Sequence, residues 1–131
     1  MKMMNDPLAN LLVAVKNASK VGKDEVTFKP ISTLATKILV IFKENNYIRD
    51  FEMIQDNKGG IYHIYLSRRI NGCGVIKPRF PFKKDEMIKW ERRFLPAEGF
   101  GKLIVSTNKG VMTHEEAKKK ELGGKLIAYV Y

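Results

Sequence analysis

Cysteine is almost absent from this chain: Cys73 is the only one among 131 residues. No intramolecular disulfide and no cysteine-rich zinc site can be built from it, which suits a reducing cytoplasm. In a strand-like context, Cys73 reads as a small packing residue. Long apolar runs are missing too. The longest stretch made only of Ile, Leu, Val and Phe is Ile38 to Phe42, far too short to cross a bilayer. The opening residues MKMMND lack the apolar core of a secretion signal, so a soluble, unexported protein is expected. Histidine occurs twice, at His63 and His114, in different halves of the chain and without a nucleophile or acid at motif spacing. His63 reads as a packed residue of an alternating strand, His114 as an exposed neighbour of a helix cap. Gly72-Cys73-Gly74 reads as a turn and not a dinucleotide fingerprint, because Lys77 stands where the third glycine is needed. No catalytic constellation, metal-ligand cluster or cofactor motif emerges, so an enzyme is not expected. There is no internal repeat and no low-complexity segment.

What is abundant is positive charge. The net charge is +10, and it is uneven: residues 67–131 carry 15 basic and 7 acidic groups, residues 1–66 carry 9 and 7. Such a balance favours polyanionic partners, nucleic acid before acidic membrane, and places the binding surface in the second half. At 44% hydrophobic residues, the chain has enough apolar surface for a core.

Periodicity gives the elements. Asp6-Pro7 starts a helix with a capping side chain and a proline at the first helical position. Leu8, Leu11, Leu12 and Val15 form its apolar face, and Val21-Gly22 ends it. Val26 and Phe28 alternate in a short strand closed by Pro30. Ser32 caps a second helix with a stripe of Leu34, Ile38, Ile41 and Phe42, ended by Asn45-Asn46. Tyr47 to Ile54 and Ile61 to Leu66 are strands around the turn Asp56 to Gly60. The first half is thus α-β-α-β-β, two helices covering one face of a three-stranded sheet.

Beyond a junction at Arg68 to Gly72, Cys73 to Ile76 is strand-like. Lys77 to Lys84, with two prolines, is an edge strand or extended loop. Asp85 to Phe94 is helical or irregular. Lys102 to Val105 and Lys125 to Tyr131 are strands. Thr113-His114-Glu115-Glu116 is a capping box in which Thr113 and Glu116 satisfy each other's backbone donors. It opens a helix to about Lys120. The fold class is α+β with two small subdomains: residues 1–69, α/β, and residues 70–131, mostly β with a short helix and the seat of nucleic-acid binding.

Two stretches carry the binding chemistry. Arg68 to Lys84 holds six basic residues and no acid, with Phe80 and Phe82 interleaved. Its Arg79, Lys83 and Lys84 can neutralise phosphates and the aromatics can stack on bases, the alternative being a solvated basic edge with two core phenylalanines. Ser106-Thr107-Asn108-Lys109-Gly110 is a polar turn between the strand Lys102 to Val105 and the capped helix. Its hydroxyls, amide and ammonium suit the shallow minor groove of an RNA helix. Glu115 and Glu116 complement the following helix dipole and repel phosphate, so the turn is a better site than the helix end. Lys118-Lys119-Lys120 reads as a solvated helix face, and Lys125 lies beyond the turn Gly123-Gly124.

These segments also resemble a known family, the universal ribosomal small-subunit protein number eight. Asp6-Pro7-Leu8-Ala9 with Asn17-Ala18 resembles its first helix. Tyr47-Ile48, Phe51-Glu52 and Asp56-Asn57-Lys58-Gly59 resemble its strand and hairpin. Ser106-Thr107-x-x-Gly110-Val111-Met112-Thr113, Ala117-Lys118-Lys119 and Gly123-Gly124 resemble its signature. The segment from Cys73 to Phe80 and the longer 81–98 region are similar to archaeal and eukaryotic members. The resemblance implies a two-domain structural protein that holds the central domain of small-subunit rRNA, beside neighbouring small-subunit proteins. The family's RNA contacts fall on Ser106, Thr107, Lys109 and Gly110. Asn108 stands where serine is common, and Glu121 where many members have glycine. Some members repress translation of their own message, so an mRNA partner is the alternative reading.

Overall fold

The computed structural model describes residues 7–97 and 99–131. The cap expected at Asp6 lies outside the described residues. The class is α+β, and the described residues fall into two compact units, one ending at Asn71 and the other spanning Gly72–Tyr131.

In the first unit, α1 (Pro7–Lys20) buries Leu8, Leu11, Leu12 and Val15, the stripe that its spacing demands. Each such side chain removed from water contributes about 1.5–3 kcal/mol. After β1 (Glu25–Phe28), Ser32 caps α2 (Thr33–Glu44), its Oγ accepting the Ala35 N–H at 3.2 Å. Ile38, Ile41 and Phe42 are buried as the stripe requires, joined by Ala35 and Leu39, while Leu34 is half-buried.

Strands β2 (Ile48–Ile54) and β3 (Ile61–Leu66) flank a turn held by Asp56, whose Oδ1 accepts the Lys58 and Gly60 N–H groups, each at 2.9 Å. These bonds hold the carboxyl below its ordinary pKa. The antiparallel order is β1-β3-β2. Tyr62, Ile64 and Leu66 are the buried set of β3. His63 belongs to the other, half-buried set, so it is no fully packed core residue. Its Nε2 lies 3.1 Å from Glu25, and its ring centroid 4.8 Å from that of Tyr65.

The second unit is one antiparallel sheet, β4-β8-β6-β7, with β5 pairing the same edge of β8 as β4. The strands are β4 (Cys73–Val75), β5 (Pro81–Phe82), β6 (Lys102–Thr107), β7 (Gly110–Thr113) and β8 (Gly124–Val130). Gly72-Cys73-Gly74 is not a turn: Gly72 exchanges both backbone bonds with Tyr131, and Cys73, buried, opens β4. Residues 84–94 resolve into a 3-10 turn (Lys84–Glu86) and α3 (Met87–Phe94). With α4 (His114–Lys119), α3 closes a core of Ile76, Phe82, Met87, Trp90, Leu103, Val105, Met112, Ala117 and Leu126.

Candidate nucleic-acid interface

The polar segment does not run straight into the helix. Ser106 and Thr107 are the last residues of β6, Asn108-Lys109 is the connection, and Gly110 opens a further strand, β7. The pairing is Ser106 with Val111 and Thr107 with Gly110, a β-hairpin with a two-residue loop. Gly110 takes φ of +117°, so the reversal needs no positive φ from Asn108 or Lys109.

The two hydroxyls then differ. Thr107 Oγ1 donates to the Gly110 carbonyl at 3.0 Å and accepts the Lys109 N–H at 3.1 Å, stapling the loop. Its proton is engaged, and one lone pair remains. Ser106 is half-buried, and no described residue bonds its hydroxyl. Asn108 and Lys109 are exposed at the tip.

Register assembles the other candidates around this hairpin. On β8, Lys125 lies between Ser106 of β6 and Pro81 of β5, and Gly124 between Thr107 and Phe82. Lys83 and Lys84, both exposed, leave the sheet directly after Phe82. The glycine pair makes this possible. A Cβ on Gly124 would sit 2.0 Å from the Ser106 carbonyl oxygen, and one on Gly123 would sit 2.8 Å from that of Phe82. The structure therefore brings Ser106, Thr107, Lys125, Lys83 and Lys84 to one end of one sheet, with Asn108, Lys109 and Gly110 beyond them. Arg79 is set apart, on the exposed connection from β4 to β5. The carbonyl of the next residue, Phe80, accepts the Leu126 N–H at 2.9 Å. The aromatics of this stretch do not wait for bases: Phe82 is buried in the core, and Phe80 stacks on Trp90.

Among the described residues no carboxylate pairs with Arg79, Lys83, Lys109 or Lys125, whereas Lys84 lies 3.9 Å from Glu121. Glu121 follows a Schellman end of α4: Leu122 N–H bonds the Ala117 carbonyl at 2.9 Å and Glu121 N–H that of Lys118 at 3.1 Å. Its φ of +55° is the left-handed region that favours glycine. Glu121→Gly should therefore be neutral to stabilising, by up to about 1 kcal/mol, since relief of the strain opposes the added unfolded-state entropy. It also removes an acid beside Lys84 and should tighten RNA binding. Thermal unfolding and a binding titration check both, and a clear loss of stability would show that the ion pair matters more than the backbone.

Thr113 caps α4 as expected, its Oγ1 accepting the Glu116 N–H at 3.3 Å. The Glu116 carboxylate meets the Thr113 hydroxyl, at 3.5 Å, and not the backbone donor the capping box calls for. His114 is not exposed. It is 4% accessible, its Nδ1 accepts the Leu103 N–H at 3.0 Å, and its Nε2 lies 3.0 Å from Glu91 of α3. Burial, reinforced by the Lys102 ammonium, lowers its pKa to about 4. No helix of the described residues is long and apolar enough to cross a membrane.

The family model for ribosomal protein S8 matches residues 6–131. The chain is 50% identical over 129 residues to small ribosomal subunit protein uS8 of Thermoplasma acidophilum, covering 98% of this chain and 100% of the relative. It is 49% identical, with the same coverage, to the uS8 of Thermoplasma volcanium. Both relatives are archaeal, which fits the resemblance to archaeal and eukaryotic members. A match over almost the whole length, with half the residues shared, means that the chain belongs to the ribosomal protein S8 family, structural proteins of the small ribosomal subunit and not enzymes.

Proposed function

We propose that this chain binds the central domain of small-subunit rRNA through its second unit and sits there among neighbouring small-subunit proteins. The observation that carries the reading is the row Pro81, Lys125, Ser106, Val111 across the sheet. It sets the Ser106 hydroxyl, which no described residue bonds, beside Lys125, which no described carboxylate pairs. The division of labour follows. Lys83, Lys109 and Lys125 hold phosphates, and Lys84 and Arg79 extend that contact. Ser106 reaches a 2′-hydroxyl or base edge in a shallow minor groove. Thr107 shapes the loop that presents Asn108 and Lys109.

The test is binding of the full chain to a central-domain transcript and to a scrambled duplex across salt concentrations. With four to six phosphate contacts, log affinity should fall against log salt with a slope of about 3–5. Ser106→Ala should cost about 1–3 kcal/mol on the folded site, with the slope and the scrambled duplex nearly unchanged. Lys109→Ala should weaken both RNAs and flatten the slope by somewhat under ~1. Equal losses on both RNAs after Ser106→Ala, or none, would make the hairpin a mere connector. Tighter binding of the chain's own message than of rRNA would favour the repressor reading.

A further inference from the structure

Resting on that rRNA reading, we infer that α3 supplies a further phosphate contact, centred on Arg93. The argument starts from the helix itself. Met87 and Trp90 face the core, at 2% and 5% exposure, while Lys89, Arg92 and Arg93 are exposed. Phe80, Trp90 and Phe94 form a stack, with centroids 5.0 and 6.3 Å apart and planes 22° and 18° from parallel. The guanidinium carbon of Arg93 lies 4.9 Å from the Phe80 centroid, 5.4 Å from that of Phe94 and 5.5 Å from that of Trp90. Lys89 Nζ lies 4.7 Å from the Trp90 centroid. Ring faces attract these cations and restrict them without taking conventional hydrogen bonds from them.

What remains is a charged fork with no counter-ion among the described residues. Among the described residues no carboxylate pairs with Lys89, Arg92 or Arg93, and Glu91 of the same helix is turned to His114. Arg68 of the first unit shows the contrast, sitting 2.7 Å from Asp24. An arginine ordered on rings loses less freedom when it binds, and its planar donors match a phosphate in two places at once. The occupant is a phosphate and not a stacked base, because Phe80 and Trp90 already face each other and two cations. The place fits as well. Phe80 follows Arg79, and its carbonyl meets the residue after Lys125, so Arg93 continues the surface already described.

The experiment uses the full chain, the central-domain transcript and a salt series. Arg93→Ala should weaken binding about tenfold, as expected when a charged hydrogen-bonding partner is removed. It should also flatten the salt slope by about 0.9, the loss of one phosphate contact. Arg93→Lys should keep the slope but recover only part of the affinity, since a point charge lacks the fork. Arg93→Gln, uncharged but similar in length, guards against a packing artefact and should behave like the alanine variant. Wild-type slopes in the alanine and glutamine variants, with only a lower melting temperature, would make Arg93 a lid over the rings and overturn the inference. Lys109→Ala is run beside them. If it weakens binding while the Arg93 variants do not, the α3 contact falls alone; if neither matters, the rRNA reading itself falls.

Discussion

Gly124→Ala should destabilise the chain by about 2–3 kcal/mol and weaken rRNA binding about tenfold or more. The backbone dihedral is not the reason, since Gly124 is not among the glycines with positive φ. The reason is space. Gly124 is paired with Phe82 on one side and Thr107 on the other. A Cβ there would lie 2.0 Å from the Ser106 oxygen, 3.0 Å from the Ser106 carbonyl carbon and 3.2 Å from Thr107 Cα, all of them backbone. No side chain can swing aside, so the end of β6 has to move, and the hairpin moves with it. Gly72→Ala is the control. The atoms nearest its new Cβ belong to the ring end of Tyr131, at 2.6 Å, a side chain that can turn away. Urea unfolding of both variants, and rRNA titration where both remain folded, measures the difference. Equal stabilities for the two, or wild-type binding by Gly124→Ala, would contradict the close-packed corner on which the candidate interface depends.

Much of the fold was legible because its causes are local. The apolar face of α1, the Ser32 cap, the Asp56 turn and the edge position of Pro81-Phe82 all follow from side chains and spacings within a few residues. Strand β7 was not read, although Gly110 to Thr113 holds a short apolar pair directly after a two-residue loop. The capping box at Thr113 points to the helix instead, and a four-residue strand is visible only through its partner β6. The exposure expected of His114 fails for a similar reason. Beside two glutamates in a first turn it resembles a solvent residue, and only the distant Leu103 and Glu91 reveal it as a buried one. The candidate site divides likewise. Its residue types were legible, but the adjacency of Ser106 to Lys125 is a matter of register, and the cover of Arg93 over Phe80 depends on how α3 packs. The residue types of Arg79 to Lys84 leave Phe82 open to the core or to a base, and the packing of β5 on the second unit places it in the core.

Acid should unfold the second unit through His114, over a window set by that one ring. The Leu103 N–H donates to Nδ1, so Nδ1 carries a lone pair and the ring proton sits on Nε2, directed at Glu91. Protonating Nδ1 would set two N–H groups against each other. The charged groups facing the ring are Glu91 of α3, Lys102 of β6, itself paired with Glu115, and Lys118 of α4. Glu91 favours the imidazolium. Burial disfavours it, as do the two ammonium groups, so the folded pKa is lowered from 6.5 to about 4. A depressed folded value means that the unfolded chain binds the proton more readily. The stabilisation is complete above pH 6.5 and is lost as pH falls towards about 4. Its size is on the order of 3 kcal/mol, from ~1.4 kcal/mol per pKa unit. Trp90, the sole tryptophan, lies in α3 beside Glu91, so its fluorescence reports this unit during urea unfolding at successive pH values. His114→Gln keeps an acceptor and a donor but cannot titrate. It should be less stable than wild type at pH 7 and lose much less on the way to pH 4, the remainder being carboxylate titration common to both proteins. Parallel pH profiles for the two would show that the imidazole is not the group that acid attacks.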